Sequence, residues 1–80
     1  MNSYLYPHNA WESARGEFAE WLLVFEPKGR QIGDQARAGD PLAKEVVRLY
    51  TMLSRSFDPM TFILLKTAFS EWKNGQKTVV

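Results

Sequence analysis

The sequence predicts an all-α fold: a compact three-helix bundle that pairs into a dimer. Three observations carry that prediction. Apolar residues recur at intervals of three and four through most of the 80-residue chain, the periodicity of helices with a buried stripe. The dipeptide Asp-Pro stands directly before two of these runs, at Asp40–Pro41 and Asp58–Pro59. Cysteine is absent, so no disulfide supplements a core that, in so short a chain, leaves a margin of only about 3–5 kcal/mol. Association between copies is then the remaining common source of stability.

The first helix is expected over about 10–26, with Asn9 as N-cap and Glu12 three residues on, a capping-box arrangement. Trp11, Ala14, Phe18, Trp21, Leu22 and Phe25 form its apolar stripe, and Pro27 and Gly29 are read as its stop. The segment 28–39 carries Gly29, Gly33 and Gly39 and is expected as an irregular loop or a short fourth helix, since Ile32 and Ala36 lie four apart. The second main helix is expected over 41–55: Asp40 caps it, Pro41 opens it where a missing N–H costs nothing, and Leu42, Val46, Leu49 and Leu53 face inward. The third repeats that entry with Asp58 and Pro59 and is expected over 59–73, ended by Asn74–Gly75. Residues 1–80 read as one helical domain with flexible ends over 1–8 and 75–80.

The third helix carries more apolar surface than a hairpin leg needs. At 100° per residue, Met60, Phe62, Leu64, Leu65, Ala68, Phe69 and Trp72 spread over an arc of about 200°, against somewhat over 100° for an ordinary surface helix. Such a helix is packed from two sides, either by both other helices or by one of them and another molecule. Leu23, Val24, Met52 and Ile63 also fall off the stripes of their helices, and Tyr4, Tyr6 and Trp11 add aromatic surface near the N-terminus. The candidate interface is therefore Trp21, Leu23, Phe25, Phe62, Ile63, Leu65, Phe69 and Trp72, with Phe62, Leu65, Phe69 and Trp72 at its centre. Periodicity alone does not separate core from interface.

Charge separates along the chain. The net charge is +1, but Glu12, Glu17, Glu20 and Glu26 against Arg15 make the first helix −3 and the remainder +4. Lys28, Arg30 and Arg37 in the glycine-rich connection, with Lys44, Arg48 and Arg55 along one edge of the second helix, form a candidate basic contact edge. That edge reads as a solvated face, a docking site for an acidic partner, or a ridge against phosphates. The third helix is a poor recognition helix, because its N-terminal end reads Met-Thr-Phe-Ile-Leu-Leu where base edges require polar or small side chains.

Catalysis is not expected. His8 is the single histidine, and Asp40 and Asp58 are used as caps, which favours their charged forms. Glu17 and Glu20 could share an ion only with further ligands that the spacing does not supply. The glycine-rich segment lacks the Gly-Lys-Ser/Thr ending of a phosphate loop and the alternating acids of a calcium loop. No cofactor or metal is implied. The apolar fraction of 45% is that of a globular protein, no run approaches the ~20 apolar residues of a membrane span, and the N-terminal residues lack a signal-peptide pattern. A cytoplasmic location is the expectation. The function expected is that of a small non-enzymatic protein-binding module: a homodimer with a second, unidentified protein partner, regulating or inhibiting by occupying that partner's surface. The alternative is a small nucleic-acid-binding transcriptional regulator using the basic edge of the second main helix.

Overall fold

A computed structural model describes residues 8–77, and within them the chain is three α-helices with no strand. Helix α1 spans His8–Arg37, α2 spans Pro41–Arg55 and α3 spans Pro59–Lys77. Tyr4 and Tyr6, most of the flexible stretch expected over 1–8, and residues 78–80 lie outside the described residues.

The first correction concerns α1. It neither begins after Asn9 nor stops at Pro27; it runs on for 30 residues with Pro27 inside it. The glycine-rich connection and the short fourth helix expected over 28–39 are therefore the second half of one helix, and Lys28, Arg30 and Arg37 stand on its faces. The reason is the stripe itself. Phe18, Leu22, Phe25, Gly29, Ile32 and Ala36 alternate spacings of four and three, and Ile32 is only 1% exposed. Burial of that second half against α2 and α3 outweighs the roughly 3 kcal/mol by which proline disfavours a helix interior. Pro27 is exposed, so the Leu23 carbonyl it leaves without a donor shares an outward face, where water can reach it.

The true end of α1 is at Gly39, whose φ of 105° is the only positive one among the described residues. The Gly39 N–H donates to the Ala36 carbonyl (3.1 Å) and the Asp40 N–H to the Gln35 carbonyl (3.0 Å), the two bonds of a Schellman motif. Asp40 then caps α2 by accepting from the Ala43 N–H at 2.8 Å, so one residue closes one helix and opens the next. Ser56 closes α2 by donating its N–H to the Met52 carbonyl (3.1 Å), and Asp58 opens α3, accepting from the Thr61 N–H (2.9 Å) and hydroxyl (3.0 Å). The second correction is at the other end: α3 continues through Asn74 and Gly75 to Lys77.

Helices α1 and α3 run parallel to each other, and α2 lies antiparallel against both. The molecule measures 47 × 18 × 17 Å, and its radius of gyration is 13.9 Å. About 12 Å is usual at this length. The cross-section is compact; the excess is the length of α1, about 45 Å against about 22 Å for α2. The core holds Phe25 and Ile32 from α1, Ala43, Val46, Leu49 and Leu53 from α2, and Phe62, Leu65, Ala68, Phe69 and Trp72 from α3. Small Ala43 and Val46 let α2 approach closely. Between α1 and α3 the spacers are rings: Phe18 against Phe62 (centroids 5.2 Å), Trp21 against Phe69 (5.3 Å) and Phe25 against Phe69 (5.6 Å). Those rings hold the two backbones apart and leave a groove along that side of the molecule.

Near the far end of the core, Trp72 is 2% exposed and its indole N–H donates to Gln35 Oε1 at 2.8 Å. Gln35 Nε2 in turn donates to Gln76 Oε1 at 3.1 Å. Replacing Gln35 by Leu leaves that indole N–H without its partner, and a loss of about 1–3 kcal/mol is expected. Urea unfolding of the variant, with and without Trp72→Phe, checks this. The loss should shrink when the N–H is removed as well.

Candidate functional site

The structure divides the eight candidate interface residues. Phe25, Phe62, Leu65, Phe69 and Trp72 are all 6% exposed or less, covered by the chain's own helices. The preferred centre of the interface is thus the core of this chain. Trp21 is partly buried against that core, stacked on Phe25 at 5.0 Å. Leu23 and Ile63 are exposed, Leu23 to 73%. The wide arc of α3 resolves the same way: α1 and α2 together cover Phe62, Leu65, Ala68, Phe69 and Trp72, while Met60 and Leu64 stay about half exposed.

What remains on the outside is an apolar surface of a different composition. Met60, Ile63 and Leu64 occupy the outward face of the first turns of α3, each close to half exposed. Spacings of three and four put them side by side. Further along, that face turns polar through Thr67, Ser70, Glu71 and Asn74. Met52 (45% exposed) lies on α2, where it accepts a long contact from Arg48 Nη1 at 3.4 Å. Val24, 52% exposed, belongs to the α1/α3 groove instead. There a cleft of about 370 Å³ is lined by Glu17, Glu20, Trp21 and Val24 from α1 and by Phe62 and Lys66 from α3. The Lys66 ammonium sits over the Phe62 ring at 4.5 Å, and Lys73 lies 5.6 Å from the Phe69 ring, contacts that hold cations beside aromatic faces.

The candidate basic edge does not form one surface. Lys44, Arg48 and Arg55 share the outward face of α2. Arg48 on that face is engaged by Glu45 (Nη2–Oε2 2.6 Å, Nε–Oε1 3.1 Å). The hydrogen bond from Arg48 holds the Glu45 carboxyl below its usual range. Arg37 is paired with Asp34 on α1. Lys28 faces the α1/α3 side, where it lines a cleft of about 160 Å³ with Gln31, Trp72, Lys73 and Gln76. Arg30 is exposed on α1.

Sequence reasoning missed the Gln35–Trp72–Gln76 network. Two signals point to it: a core tryptophan needs a partner for its N–H, and Gln31 and Gln35 lie one turn apart once α1 continues past Pro27. Among the described residues no three His, Cys, Asp or Glu side chains stand close enough to share a metal ion. No described helix is long and apolar enough to cross a membrane. The exposed surface thus combines an apolar patch on α3 with fixed charged groups on α1 and α2. No family model, curated protein or solved structure matches the chain.

Proposed function

We propose that the chain is a small non-catalytic binding module that self-associates and regulates a second protein by covering part of its surface. The observation that supports this most is the outward face of α3. Three large apolar side chains, Met60, Ile63 and Leu64, are held half exposed within two turns of a helix whose opposite face is fully packed. Core packing accounts for that opposite face alone. Each exposed apolar side chain forgoes about 1–2 kcal/mol of the burial energy open to it, and a contiguous patch of this kind marks a contact surface. Glu71 lies about two turns beyond this patch, so a partner that covers Met60, Ile63 and Leu64 alone desolvates no ion.

The expectation of a nucleic-acid-binding regulator has less support. Its reading edge on α2 includes Arg48, already committed to Glu45, and the remaining cations are distributed around the molecule.

The test is a double substitution, Ile63→Asp with Leu64→Asp. Both positions are exposed, so the circular dichroism spectrum and melting temperature should stay close to those of the parent. Capture of the target from a native extract should fall at least about tenfold, as for loss of two hot-spot contacts. Undiminished capture by a folded double variant would remove the α3 face from the account.

A further inference from the structure

The stripe of α1 that borders the α1/α3 groove is complementary to itself. Val24 is at its centre, Glu20 four residues before and Lys28 four residues after, with Glu17 and Gln31 each seven residues away. All five side chains are exposed, and spacings of three and four keep them on one side of the helix. Glu17, Glu20 and Lys28 are in neither the Arg37–Asp34 nor the Arg48–Glu45 ion pair.

We propose that this stripe is where two copies of the chain meet, α1 against α1, antiparallel, with the twofold axis passing beside Val24. The inference rests on the reading of the protein as a homodimer and identifies the surface that makes it one. Charge selects the direction. Antiparallel packing about Val24 sets Glu20 opposite the partner's Lys28 and Glu17 opposite the partner's Gln31, and symmetry makes each of these contacts twice. Parallel packing sets Glu20 against the partner's Glu20 and Lys28 against the partner's Lys28, which repel. A twofold contact of this kind is closed, so association stops at two copies.

The groove beside the stripe supplies the apolar part of the contact. The rings between α1 and α3 keep it open, Val24 is 52% exposed at its edge, and the half-buried Trp21 beside Val24 is the residue type most enriched at interface centres. Met60, Ile63 and Leu64 are on the outward face of α3 and remain available to a different protein.

The test exchanges the charges. Glu20→Lys and Lys28→Glu, made singly, place like charges opposite each other at two symmetry-related points. Each should weaken the dimer at least about tenfold by sedimentation equilibrium. The double variant, E20K with K28E, should recover an association within about threefold of the parent. The chain has no cysteine, so Val24→Cys places a single thiol on the twofold axis; mild oxidation should link two copies, whereas Met60→Cys should remain unlinked. A parent chain that is monomeric at all concentrations overturns the homodimer reading and this inference with it. A dimeric parent whose association ignores both single exchanges, or is not restored by the double one, overturns the α1 surface alone and leaves dimerisation standing.

Discussion

Phe69→Asp leaves the chain without a cooperative unfolding transition at room temperature. Phe69 is 3% exposed, with the rings of Trp21, Phe25 and Trp72 between 5.3 and 5.9 Å from its own. Removing a buried phenyl ring costs about 3–5 kcal/mol by itself. Lys73, 5.6 Å from the present ring, stands at the rim of the core, so the new carboxylate either stays buried at a cost of several kcal/mol more or forces the site open to water to reach it. So short a core leaves only about 3–5 kcal/mol in total, so the sum exceeds the stability available. Far-UV circular dichroism through a thermal ramp checks the result. Phe69→Leu is the matching control: it keeps the site apolar and should melt cooperatively at a lower temperature. A native-like melt for Phe69→Asp would mean that α1 and α3 do not pack through these rings.

Pro27→Ala should stabilise the protein by about 2 kcal/mol. Proline inside a helix removes one hydrogen bond and presses its ring on the preceding turn, at about 3 kcal/mol; its stiffening of the unfolded chain returns up to about 1 kcal/mol of that. Pro27 is exposed, so the substitution disturbs no packing. A higher urea midpoint at unchanged slope is the expected reading. No change, or a lower midpoint, would mean that the helix ends at Pro27 and that α1 is not continuous.

These two residues also mark where the sequence was legible. The entry to α2 and α3 is local chemistry: an aspartate that accepts a backbone N–H and a proline that needs none. Both were readable from four residues, and both are present as read. Continuity of α1 is a tertiary matter. Pro27, Gly29 and Gly33 all disfavour helix locally, and only the partners of Ile32 and Ala36 on the neighbouring helices decide against them. The stripe from Phe25 through Gly29 to Ile32 and Ala36 was visible, but a glycine at a core position does not announce itself as apolar.

The candidate surface shows the same division. Leu23, Val24, Met52 and Ile63 could be recognised as lying off the packed stripes, because a helix fixes which residues share a face; all four are exposed. The central residues of the wide α3 arc could not be assigned, since their burial depends on whether one helix or two lie against them. Two helices do: Phe18, Trp21 and Phe25 of α1 meet Phe62 and Phe69, Gln35 in the second half of α1 meets Trp72, and Phe62, Leu65, Phe69 and Trp72 belong to the core. The expected basic edge divides for a related reason. Cations close in sequence around an expected loop are spread around the circumference once that segment is a helix, and Lys28 and Arg30, two residues apart, then stand on opposite sides of α1.

Self-association is the central claim, and the solution mass tests it most directly. Light scattering on a sizing column, across a dilution series, should give twice the chain mass of 9.2 kDa at the higher concentrations and fall towards one chain mass on dilution. A single chain mass at every concentration would contradict it.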